Sequence, residues 1–168
     1  MFDPRGPVLG IDPGVTRCGY GAVRRDGGRA SAVACGVIRT PPSAPLPERL
    51  VSLADELADL IAQFRPAAVA VERVLFQVNV RTAMAVGQAS GLALAAAARA
   101  GVPVVQYSPN EVKLAVTGDG RADKAAVQSM VTRLLSLSEV PKPADAADAL
   151  ALACCHLWRM PLTAKVAQ

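Results

Sequence analysis

The 168-residue chain predicts one domain built on a mixed α/β sheet, antiparallel in its first half and joined through helices in its second. Three observations carry this. "PVLGID", "CGYGAVRR" and "ASAVACGVIRT" follow one another at hairpin spacing, with "DGG" at residues 26–28 as the turn between the last two. Two later short apolar runs, "AAVAVE" and "VPVVQY", are separated by a long helical segment. Hydrophobic residues make up 52% of the chain, enough for a full core at this length.

The elements follow in order. After the loop "PPSAPLP", Leu46, Leu50, Leu53, Leu57, Leu60 and Phe64 recur every three or four residues, the stripe of an amphipathic helix that Pro66 ends. "AAVAVE" reads as a buried strand. Residues 81–100 read as a helix dominated by alanine, with Gly87 and Gly91 four apart, so that another helix could approach closely. "VPVVQY" is a further strand, and "SPNE" after it is a capping box, with Ser108 as N-cap, Pro109 at the first helical position and Glu111 reaching back. That helix breaks at "TGDG"; another runs from about Lys124 to Leu137, and a last one carries Asp145 onward. The core spans about residues 8–157, between a short N-terminal arm and a frayed C-terminal tail.

Composition narrows the function classes. No apolar run is long enough for a membrane span, and "MFDPRGP" lacks the regions of a signal peptide, so a cytoplasmic protein is expected. Cys18, Cys35, Cys154 and Cys155 form no CxxC pair and predict neither a disulfide nor a zinc site. The net charge is +4, and 14 of the 18 cations are arginine, the side chain shaped to fork onto phosphate. With three Phe, two Tyr and one Trp, a broad stacking platform for single strands is not expected.

Four carboxylates stand out. Asp12 and Glu72 each end an apolar strand; alone, each reads as a turn or surface acid. If those strands are parallel neighbours, both ends face the sheet edge where sites form in open α/β folds. Asp145 and Asp148 lie three apart on the last helix, their Cβ atoms roughly 5 to 6 Å apart, and their stripe continues through Leu152 and Cys155 toward the sheet. One of them could simply complement the positive helix N-terminus. Two, with two strand-end acids, fit hard-cation binding by oxygen, and the absence of a His or Cys motif favours Mg²⁺ or Mn²⁺. Two such ions would clamp the attacking and leaving oxygens of a phosphoryl displacement.

Arg17, Arg73, Arg81, Lys113, Arg121 and Lys124 are candidates for phosphate contact, with Lys113 and Lys124 ahead because each follows a strand or glycine turn near the proposed edge. Phe76, in "VLFQVN", reads equally as a core anchor or as a wedge that stacks on bases. His156 reads as structural.

"GIDPGVTRCGYGAV", "AVERVLFQVN", "VGQASGLALAAA", "YSPNEVKLAVTGDGRADKAAV" and "ADAADALALA", in that order and spacing, closely resemble the RuvC-type Holliday junction resolvases over residues 8 to about 157. The resemblance implies an RNase H-like fold, a five-stranded mixed sheet of order 3-2-1-4-5 with helices on both faces. It also implies a Mg²⁺-dependent homodimer that nicks two strands of like polarity in a four-way DNA junction. Each cut leaves a 5′-phosphate and a 3′-hydroxyl, and two metal ions per subunit are expected. The family's catalytic acids fall on Asp12, Glu72, Asp145 and Asp148, and its active-site lysines on Lys113 and Lys124. The alanine-rich helix of residues 81–100 corresponds to the dimer-interface helix, and the implied partner is the RuvA–RuvB branch-migration complex. Where many members carry a junction-stacking Phe three residues after the strand glutamate, this chain has Leu75, with Phe76 next.

Two other readings compete. "GIDPGVTRCGYG" is similar to the opening of actin- and Hsp70-like ATPases, which need two such domains where this chain has room for one. A catalytically inactive junction-binding module would gain nothing from gathering like-charged acids.

Overall fold

The computed structural model describes residues 5–73 and 80–159. Strands β1 (Val8–Asp12), β2 (Arg17–Asp26) and β3 (Arg29–Arg39) form the antiparallel meander. The tight turn between β2 and β3 needs its glycines: Gly27 and Gly28 have φ of 54° and 90°, where side chains with a Cβ are strained.

Helix α1 (Leu46–Phe64) buries Leu53, Leu57, Leu60 and Ile61, the inner part of the stripe that defined it. It stops at Phe64, two residues before Pro66, with Arg65 turned into the left-handed region. Strand β4 (Ala68–Glu72), helix α2 (Val80–Arg99) and strand β5 (Val104–Tyr107) complete a sheet of order β3-β2-β1-β4-β5, with β1, β4 and β5 parallel. This is the RNase H-like arrangement.

Helix α3 (Pro109–Thr117) begins at the expected capping box: Ser108 Oγ accepts from the Glu111 N–H, and Glu111 Oε2 accepts from the Ser108 N–H at 2.8 Å. Helix α4 (Lys124–Leu134) is shorter than the sequence predicts. Ser136 takes a left-handed φ of 53°, which ends the helix and turns Leu135 into the core, where it is 4% exposed. Helix α5 (Ala144–Arg159) buries ten of its residues. No helix among the described residues is long and apolar enough to cross a membrane. Cys18, Cys154 and Cys155 are packed in the core, and Cys35 is exposed.

Two hydrophobic cores lie on opposite faces of the sheet. Strand alternation sends Leu9 and Ile11 of β1, and Val69 and Val71 of β4, toward α1 and α2. Val8 and Ala70 face α3, α4 and α5. The same alternation assigns Asp12 and Glu72 to the α5 face, because each lies an even number of residues from Val8 or Ala70.

Candidate active site

Parallel pairing of β1 with β4 places Ile11 beside Val71, so Asp12 and Glu72 emerge side by side at the carboxyl edge. Helix α5 meets this edge with its first turn. Glycines make that approach possible: a Cβ on Gly19 would lie 2.1 Å from the Asp145 carbonyl oxygen, and one on Gly10 2.0 Å from that of Ala149. Without side chains at these two points the helix backbone rests on the sheet, and Asp145 and Asp148 are carried down to the level of the strand ends.

The acids feel one another. The Asp12 carboxyl is pushed up to about 7, first by burial and then by the negative charges of Glu72, Asp148 and Asp145, with Lys124 pulling the other way. Glu72 is also raised, by burial and by Asp148, against Lys124. Two cations counter the helix pair. Arg17 Nη2 donates to Asp145 Oδ2, and Lys124 Nζ donates to Asp148 Oδ2 at 2.6 Å. The bond to Asp148 raises the Lys124 pKa, so the ammonium stays charged. Both pairs are half open to solvent, where an ion pair is typically worth about 0–1 kcal/mol. They are therefore exchangeable contacts.

Lys113 completes one side of the site, lining a pocket with Glu72, Lys124 and Asp148. The six residues Asp12, Glu72, Asp145, Asp148, Lys113 and Lys124 are thus brought together. The other candidates disperse. Arg73 is exposed, its guanidinium donating to the Gln106 carbonyl at 3.2 Å. Arg121 is exposed in the loop before α4, with its backbone N–H on Asp119. Arg81 lies on the first turn of α2, lining a different cavity. Phe76 and its neighbour Leu75 lie outside the described residues.

Arg17, one of six candidate cations in the sequence, joins the site directly. Asp12 pairs with Gly19 across the hairpin, and Gly19 faces α5; two residues earlier on β2, Arg17 shares that face. Hairpin register was the signal that could have found it. His156 is structural as expected: its Nδ1 lies 2.7 Å from the Tyr107 hydroxyl, and burial lowers its pKa.

All donors gathered here are carboxylate oxygens, a set suited to a hard divalent cation. The Asp12 pKa is raised first by burial and then by the charges of Glu72, Asp148 and Asp145, against which Lys124 pulls the other way. Among the described residues, no three His, Cys, Asp or Glu side chains converge tightly enough to make a finished cation cage. A cation held there would compete with Arg17 for Asp145 and with Lys124 for Asp148. The donor chemistry and the charge both fit.

A five-stranded sheet of this order, with acids on two parallel strand ends and on the last helix, defines the class of RNase H-like nucleases. The family model for crossover junction endodeoxyribonuclease RuvC matches residues 8–156. A RuvC from Salinispora arenicola is 61% identical over 153 residues, covering 90% of this chain and 87% of the relative. Thermus thermophilus RuvC, solved in complex with Holliday junction substrate, is 41% identical with a TM-score of 0.86, covering 92% of this chain and 94% of that one. A second structure of Thermus thermophilus RuvC aligns at a TM-score of 0.83 over 90% of this chain and 93% of that one. The chain belongs to the RuvC family of crossover junction endodeoxyribonucleases.

Proposed function

We propose that this chain is a single nuclease domain that resolves four-way DNA junctions, hydrolysing a phosphodiester in each of two strands of like polarity. The observation that carries the proposal is the row of four carboxylates on the α5 face of the sheet's carboxyl edge, in a chain 41% identical to a RuvC solved with a Holliday junction.

Asp12, Glu72, Asp145 and Asp148 would hold the divalent cation, Mg²⁺ or Mn²⁺, with two ions per subunit. When bound, such ions activate water for attack on phosphorus and offset charge on the phosphate oxygens. The chain's own residues do the rest. Asp12 must give up the proton it keeps to about pH 7 before it can bind a cation. Lys124 and Lys113, lining the same pocket as Glu72 and Asp148, would place fixed positive charge where the scissile phosphate gains negative charge. Rigid mounting on β1, β4 and α5 keeps the acids in place, so little reorganisation is needed at the moment of reaction. Breaking the bond to the 3′ oxygen leaves a 5′-phosphate and a 3′-hydroxyl.

Two copies pairing through α2 would set two such sites on one junction, and the RuvA–RuvB complex would deliver it in the cytoplasm. Family membership leaves the two-domain ATPase reading without support. A binding module without activity gains nothing from gathering like-charged acids at one edge, one of them raised to about 7 by burial and by those neighbours.

The test is a labelled four-way junction incubated with the protein in Mg²⁺ or in EDTA. Paired, ligatable nicks in Mg²⁺ alone are expected. Binding without cutting in any divalent cation would overturn the assignment.

A further inference from the structure

Beside the acids, the loop joining β1 to β2 is built into a second polar construction. Thr40, 2% exposed just after β3, donates from Oγ1 to the Val15 carbonyl at 2.6 Å, and its N–H donates to the Thr16 carbonyl at 3.2 Å. Arg49, in the first turn of α1, donates from Nε to Thr40 Oγ1 at 2.9 Å and from Nη2 to Thr16 Oγ1 at 2.6 Å. Both partners are neutral hydroxyls, and no carboxylate among the described residues forms an ion pair with Arg49.

The guanidinium is therefore fixed in place while keeping its whole charge, and of its five N–H donors three are left for something else. Its position sharpens the point. A cation in the first turn sits at the positive end of the helix dipole, an unfavourable place that Glu48 beside it offsets only in part and that an anion on the guanidinium would relieve further. Arg49 also lines a cavity with Thr16, Met84, Gln88 and a second arginine, Arg81 of α2. That cavity shares its loop with the catalytic edge, since the residue after Thr16 is Arg17, whose guanidinium takes Asp145.

We propose that Arg49 is a DNA phosphate-binding residue, and that with Arg81 it grips the backbone of the strand leading to the four acids. The inference rests on the reading of the chain as a junction nuclease and names a DNA contact of that site. Nothing in α1 suggests such a role from sequence, because Arg49 reads there as one more polar residue on the outer face of an amphipathic helix. The groove is open and lies between α1 and α2, reaching the acids only through the loop that follows Asp12, which suits an extended polyanion crossing that edge better than a small enclosed ligand.

The experiment measures binding of a fluorescent four-way junction, without divalent cation, across a range of salt concentrations. Arg49→Gln should weaken binding about tenfold and lower the slope of log K against log salt by about one, the loss of one phosphate contact. Thr40→Val removes the hydroxyl that holds Arg49 but leaves the charge; it should lower the melting temperature and keep the slope. Arg81→Gln, on an exposed turn, should also lose about one unit of slope and keeps the groove testable if Arg49→Gln fails to fold. Unchanged slope in both arginine variants, with a wild type that binds, would overturn this inference alone. A wild type that does not bind the junction would overturn the nuclease reading with it.

Discussion

An aspartate at the end of a buried strand could be an ordinary turn residue; what distinguishes Asp12 is the company it keeps. Its carboxyl, ordinarily near 3.8, rises to about 7 through burial and three neighbouring acids. A carboxyl raised in the fold disfavours the ionised native state, so this group costs stability increasingly as pH climbs from about 4 to about 7, and by a constant amount above that. Three pK units correspond to roughly 4 kcal/mol. Asp12→Asn should therefore melt above wild type at pH 8 without divalent cation, with the gap closing toward pH 4; a constant gap across that range would contradict the origin given for the shift. On the proposed function, the same proton would compete with the cation for Asp12. At limiting Mg²⁺, cutting by wild type should rise about tenfold per pH unit below 7 and level off above it, read from initial rates of nicking.

Much of this was legible in residues. Asp12 and Glu72 showed as acids closing apolar runs, and Asp145 and Asp148 showed through their three-residue spacing on a stripe that continues into Leu152 and Cys155, both buried. What sequence could not give was which candidate cation pairs with which acid. Lys124 was placed near the edge by its glycine turn, but Arg17 needed the hairpin register. Arg49 needed the packing of α1 against a loop some 30 residues earlier, a contact no local pattern encodes.

At the scale of elements, the site depends on α5 lying against bare backbone. Gly19→Ala would force a Cβ into the Asp145 carbonyl, and Gly10→Ala one into Ala149. Overpacking of this kind costs about 1–3 kcal/mol, and here the obstacle is backbone that cannot rotate away. Both variants should unfold at lower urea, and Gly19→Ala should lose more nicking than its stability loss explains, because the shifted atom belongs to Asp145, one of the four acids proposed to hold the cation. The capping box on α3 offers a milder contrast. Ser108→Ala removes the acceptor for the Glu111 N–H and should cost about 1 kcal/mol, with Lys113 one turn further on. The sequence predicted this box residue by residue, since every contact lies within four positions. It misplaced the end of α4 because Leu135 turns inward to satisfy the core, which is a demand made by tertiary packing.

For the whole molecule, the proposed pairing of two copies can be tested on α2. Gly87 and Gly91 have open space where a Cβ would stand, so the isolated chain has no need of glycine there. Gly87→Leu should gain helix propensity and keep the fold, yet sediment as a monomer where wild type sediments as a dimer. If both sediment alike, α2 is not the interface. The small residues of α2 were visible in the sequence, but a helix partner outside the chain leaves no internal pattern to confirm it.

The central claim is that four carboxylates on one sheet edge, and not the basic surface around them, cut the junction. Single-turnover nicking of a prebound, labelled four-way junction in Mg²⁺, comparing wild type with Asp12→Asn, tests it most directly. Equal binding is expected, with paired nicks from wild type and at least a thousandfold slower cutting by the variant, about 4 kcal/mol of lost transition-state stabilisation. Equal cutting by the two proteins would contradict it.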